Sequence, residues 1–168
     1  KEKIEVKTNT GKRMRISEMS PGTFPVIRGA MLQFFDSKNF YLACPECGSK
    51  VKSGKCDEHG EVKAKPVMII SGILDDGHGN VRVVFFREQA EKIAGVKTDE
   101  AYKITDEGRE SGPLKEVLEE RLGTEFIVKG RAKVNKFFER LEMVASDVEE
   151  VDPEKEAKSI LNKIENKN

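Results

Sequence analysis

Three cysteines and a histidine are the residues of this chain best suited to do chemistry. They read Cys44-Pro-Glu-Cys47 and, after eight intervening residues, Cys56-Asp-Glu-His59. In each pair two ligands on one tight turn converge on a single ion, and Gly48, Gly54 and Gly60 supply the turns. Three thiolates and an imidazole fill a tetrahedron and leave no position open for water. The spacing therefore predicts a structural zinc site, with iron as the alternative metal for a thiolate-rich set. Few apolar residues surround the ligands, so the ion itself must supply folding free energy, on the order of 10 kcal/mol. A disulfide framework explains the cysteines less well, because their number is odd and two share a Cys-x-x-Cys. His78, in the Gly-rich stretch 75–80, reads as a turn residue.

No other constellation points to a reaction. A phosphate-cradling Gly-Lys loop, a Cys/His nucleophile pair outside the metal set and an open metal position are all missing from the sequence, so an enzyme is not expected. The formal net charge is zero, with 30 basic and 30 acidic side chains, but the charge is segregated. Residues 1–65 carry 13 basic against 8 acidic groups, and residues 140–168 carry 5 against 8, as a localised binding groove requires. No apolar run has the length of a membrane span, and no signal-peptide core follows Lys1. No membrane partner is expected, the expected compartment is the cytoplasm, and the polar opening reads as part of a longer chain.

The elements that must position these residues are mainly β. Apolar and polar positions alternate over 26–35, 67–74, 81–87, 125–135 and 140–151, with Gly72 marking a bend or bulge. Residues 88–94 read as a short helix ended by Gly95. Leu114, Val117, Leu118 and Leu122 read as a second helix, between Pro113 and Gly123. Five strands with a helix between the third and fourth predict a five-stranded OB-fold barrel over 16–151. The zinc ribbon, 41–65, is inserted between its first two strands. Residues 1–15, around Thr10-Gly11, are a linker or an extra hairpin. Asp152-Pro153-Glu154 starts a C-terminal helix over 152–168, on which Ala157, Ile160, Leu161 and Ile164 make one apolar stripe. So short a helix needs a surface to cover, and a complete barrel leaves little core to close, so partner helices are the expected surface.

The sequence resembles the last DNA-binding domain of the replication protein A large subunit. The resemblance runs from about Ile16 to the C-terminus. It rests on Tyr41-Leu-Ala-Cys44-Pro, the Cys56 knuckle, Met68-Ile-Ile-Ser71, the segment 84–95 and the segment 143–153. It implies an OB barrel with an inserted zinc ribbon and a C-terminal helix that assembles a heterotrimer with two smaller OB-fold subunits. Eukaryotic members use four cysteines at longer spacings, so His59 points to an archaeal member.

The function implied is single-stranded DNA binding in replication, repair and recombination, in association with the nucleoid. An OB fold holds a strand across its second and third strands, between the loops joining strands one and two and strands four and five. Aromatic rings for bases and cations for phosphates must line that path. Phe86, which aligns with a family aromatic, and Arg82 share one face of the third strand. Lys136, Phe137 and Phe138 lie in the four-five loop, and Phe40 and Tyr41 at the entry to the ribbon. On the fourth strand Lys129, Arg131 and Lys133 share the face opposite Phe126, Val128 and Val134. Two alternatives are an assembly scaffold with little intrinsic DNA affinity and an RNA-binding OB module, since aromatics stack RNA bases equally well.

Overall fold

Alternation along the chain becomes a closed ring of strands in the computed structural model, which describes residues 12–167. After a single 3-10 turn, Ile16–Glu18, come β1 (Val26–Phe34) and three short strands, β2 (Phe40–Ala43), β3 (Lys55–Cys56) and β4 (Gly60–Glu61). The long strands β5 (Lys65–Asp75), β6 (Asn80–Phe86), β7 (Glu125–Asn135) and β8 (Arg140–Glu150) follow. β1 pairs with β5, β5 with β6, β6 with β8, β8 with β7, and β7 returns to β1. All are antiparallel except β6 with β8, which gives the OB-fold barrel expected from the sequence.

Inward positions of all five strands meet in one core, where Ile27, Met31, Ile70, Phe85, Phe126 and Met143 are fully buried. Each such side chain stabilises the fold by about 1.5–3 kcal/mol relative to exposure. Closing the ring brings backbones into near contact at Gly72, where a β carbon would lie 2.1 Å from the Gln33 carbonyl oxygen. Leu32 bulges from β1 at that crossing. A side chain at Gly72 would push β1 off β5.

Between β6 and β7 run α1 (Glu88–Ala94), ended by Gly95 in the left-handed region, α2 (Thr98–Ile104) and α3 (Gly112–Glu119). Ala90, Ile93, Ala101, Leu114 and Leu118 from these helices join the barrel core. The sequence did not announce α2, because Ala101 is its one buried side chain and no stripe forms. The second predicted helix is also shorter than expected. Leu122 lies beyond its end, exposed, where Gly123 N–H donates to the Met31 carbonyl and turns the chain into β7.

The predicted hairpin around Thr10-Gly11 lies outside the described residues. Residues 12–15 do touch the barrel: Arg13 bridges Val26 in parallel, and Met14 N–H donates to the Val26 carbonyl. α4 (Pro153–Glu165) begins where its cap signal placed it, with the Asp152 carboxylate accepting from the Glu154 and Lys155 amides.

Candidate metal centre and nucleic-acid groove

The ribbon extends β5 outside the barrel. β2 pairs with the first residues of β5, Phe40 opposite Met68 and Ala43 opposite Lys65, and the β3–β4 hairpin folds back over it. Its own core is only Cys44, Val51 and Cys56, with Val62 and Ala64 against them. Four donor atoms of Cys44, Cys47, Cys56 and His59 lie within 4.8 Å of one another, so the group could hold a metal ion. Cys47 Sγ is 3.5 Å from Cys56 Sγ, and His59 Nδ1 is 3.7 Å from the Sγ atoms of Cys44 and Cys56. Zinc with thiolate bonds of about 2.3 Å in a tetrahedron needs donors roughly 3.5–3.8 Å apart, so the set fits. The Ser49 hydroxyl, and then its amide, hydrogen-bond Cys47 and lower its thiol to about 6, where a thiolate exists at neutral pH. His59 Nε2 lies 3.3 Å from Glu46 Oε2, a carboxylate placed to fix the tautomer that turns Nδ1 toward the thiols.

A groove crosses the outer face of β5 and β6. Register sets its rows: Ile73, Arg82, Glu142 and Lys133 lie side by side on β5, β6, β8 and β7. Ser71, Val84, Val144 and Arg131 form the next row, and Ile69 beside Phe86 the third. Phe85 is fully buried and Phe86 is 36% exposed, so alternation on β6 turns Phe86 outward. At the ribbon end, Lys38, Tyr41, Lys50 and Ile69 line a hollow of about 420 Å³. At the other end, Phe35, Ile73, Arg82, Phe138, Arg140 and Glu142 line one of about 770 Å³.

Arg82 organises the second hollow. Its guanidinium carbon lies 4.8 Å from the Phe35 ring centroid and 5.3 Å from that of Phe138, both within cation–π range. Its Nε is 3.4 Å from Glu142 Oε2. Glu142 is only 5% exposed, and a buried carboxylate persists only if paired. Asn135 Nδ2 donates to it at 2.9 Å, and Lys133 Nζ lies at 3.7 Å. The same Asn135 accepts from the amides of Phe137 and Phe138 and so shapes the β7–β8 turn. Phe137 projects from that turn 87% exposed, its ring edge-on to Phe138 at 5.0 Å.

Residues 25–160, well over half the chain, match the family described as the replication factor-A C-terminal domain. The chain belongs to this family. It is similar to replication factor A of the archaeon Methanothermobacter thermautotrophicus, with 26% identity over 128 residues, 73% of this chain and 16% of that protein. The chain thus spans about a sixth of that relative, which is archaeal, as the His59 ligand implied. Two solved structures share the fold. One is a replication protein A heterotrimer bound to ssDNA, with TM-score 0.71 and 18% identity over 87% of this chain and 36% of that one. The other is yeast RPA bound to ssDNA, with TM-score 0.66 and 16% identity over 94% and 93%.

Within this replication factor-A domain the residues predicted for DNA are not all brought together. Tyr41, Arg82, Phe86 and Phe138 line or flank the groove, with Lys136 and Phe137 at the hairpin rim. Phe40 is corrected: it borders the ribbon-end hollow, but it is 6% exposed with its ring packed edge-on against Tyr102 at 5.4 Å in the barrel core, so it offers a base little surface. Lys129 shares the exposed face of Arg131 and Lys133 but lies further along the strand, opposite Asp147, which Lys92 of α1 bridges. Arg131 lies in the second row and Lys133 in the first. Val134, assigned inward, is 47% exposed because β7 outruns the core there. Phe35 and Arg140 were missed. The aromatic pair Phe34-Phe35 ending the first predicted strand was the available signal for Phe35.

On α4, Ala157 is exposed, and Ile160, Leu161 and Ile164 are 49%, 56% and 57% exposed. The stripe covers no part of the barrel. No helix among the described residues is long and apolar enough to cross a membrane.

Proposed function

We propose that this domain binds single-stranded DNA along the β5–β6 face and serves as an assembly module of a replication protein A complex, acting in replication, repair and recombination at the nucleoid. The observation that carries the proposal is the continuous outward path from Tyr41 through Ile69 and Phe86 to Arg82, Phe35 and Phe138. Rings on that path stack bases whatever their identity, and the cations at its two ends meet phosphates, so binding is sequence-tolerant and falls with salt. The exposed stripe Ala157, Ile160, Leu161 and Ile164 docks on helices of two smaller OB-fold subunits. Zinc on Cys44, Cys47, Cys56 and His59 is structural: four protein donors close the tetrahedron and leave nothing for substrate. The domain has no catalytic role.

Titration of the zinc-loaded chain with oligo-dT at two salt concentrations, with a matched RNA as competitor, tests this reading. Salt-sensitive binding that prefers the DNA supports it, and equal competition by RNA favours an RNA-binding module. One observation favours a scaffold with little intrinsic affinity: Glu142 already neutralises cations of the groove. Absence of measurable binding at low salt would establish that second reading.

A further inference from the structure

α4 is held to the barrel by one carboxylate instead of an apolar face. Its single buried side chain is Glu156, in the first turns of the helix. Arg13 grips that carboxylate with both terminal nitrogens, Nη1 on Oε1 and Nη2 on Oε2 at 3.0 Å. Arg28 Nη1 adds a third contact to Oε1 at 3.1 Å, while its Nη2 donates to Glu125 on β7 at 2.8 Å. Forked guanidinium–carboxylate pairs fix direction as well as distance. At about 100° per residue, Glu156 lies roughly a quarter-turn around the helix from the centre of the Ala157, Ile160, Leu161 and Ile164 stripe. Whatever fixes Glu156 therefore aims that stripe.

The two arginines come from different places. Arg28 is on β1, part of the barrel wall, whereas Arg13 belongs to the segment that enters the domain and is strapped along Val26. We propose that Glu156 is a positioning residue: the Arg13–Glu156–Arg28 clamp sets the angle at which the apolar stripe leaves the barrel, and ties it to the incoming chain. The importance of that angle rests on the assembly reading of α4. The clamp itself does not.

Backbone residual dipolar couplings of the zinc-loaded, ¹⁵N-labelled chain test the clamp without any partner. In the wild type, couplings of residues 153–165 fit the alignment tensor of the barrel. In Glu156→Gln they shrink to half or less while barrel couplings are unchanged, and Arg13→Ala, which keeps the Arg28 contact, falls between the two. Unchanged α4 couplings in Glu156→Gln, or couplings already averaged in the wild type, overturn the proposal. So does loss of α4 helical chemical shifts in Glu156→Gln, which would make the residue one that holds the helix together. Ile160→Asp with Ile164→Asp serves as the control that separates the two readings. It leaves the couplings intact even if the stripe proves not to be the interface, because neither residue touches the clamp.

Discussion

Replacing Glu142 by Gln should make this domain a tighter binder of single-stranded DNA. The carboxylate sits nearly buried under the groove, 3.4 Å from Arg82 Nε and 3.7 Å from Lys133 Nζ, so it competes with phosphate for both cations. Gln keeps the size and can still accept from Asn135, but it removes the negative charge that faces Arg82 and Lys133. One more phosphate neutralised on a single strand steepens the slope of log K against log salt by about 0.7; carried from 1 M to 50 mM, that amounts to roughly 5- to 10-fold tighter binding at the lower salt. The assay is fluorescence anisotropy of a labelled oligo-dT over a salt series, for wild type and variant side by side. Thermal unfolding accompanies it, with a loss of about 1–3 kcal/mol expected from weakening a buried charge-assisted pair. A variant that is folded, with slope and affinity equal to wild type, would refute the reasoning, because the strand would then not pass over Arg82 and Lys133.

Phe86→Ala should weaken oligo-dT binding by about 1–3 kcal/mol with little change in unfolding temperature. That per-base value is carried over from single-strand-binding OB folds that include replication protein A itself. Phe85→Ala should do the reverse, destabilising the barrel by about 3–5 kcal/mol. Removing the metal with a chelator should unfold the ribbon and leave the rest of the barrel folded, since the small ribbon core is separate from the main one; amide chemical shifts should change for 40–68, the ribbon and the β5 residues it pairs with, and little elsewhere. Ile160→Asp with Ile164→Asp should leave stability unchanged, because both residues are half exposed, yet block co-purification with the partner subunits. The Arg13 hydrogen bonds, and then the charges of Arg13 and Arg28, hold the Glu156 carboxyl below its ordinary value of 4.5. The clamp's stabilisation is therefore full above that value and lost as pH falls through the lower folded-state value. The difference in unfolding temperature between wild type and Glu156→Gln should accordingly hold from pH 7 down to the ordinary value of 4.5 and narrow only on further acidification.

Local signals carried far in this chain. Paired knuckles gave the four residues that could hold a metal ion, alternation gave the five barrel strands, and Asp152-Pro153 gave the start of α4. What escaped depends on long-range contact. Phe40 reads as a rim aromatic until Tyr102, from the stretch between β6 and β7, closes over it. The bulge at Leu32 breaks the phase of β1, so its inward and outward positions no longer predict which way Phe34 and Phe35 turn. Glu142 has the composition of a solvated strand position. It is buried only because Arg82, Lys133 and Asn135 converge on it from neighbouring strands.

β5 serves two structures at once. Its first residues carry β2 and the ribbon, and the remainder is barrel wall and groove floor. Eleven residues at about 3.3 Å each span roughly 35 Å, appreciably longer than an ordinary strand. The insertion thus works as a splint, keeping the outer third of that strand straight where a lone edge would fray. On the proposed reading, a metal in the ribbon would govern reach: β2 backs β5 only as far as Met68, so an unfolded ribbon would leave the Tyr41 end of the path without support.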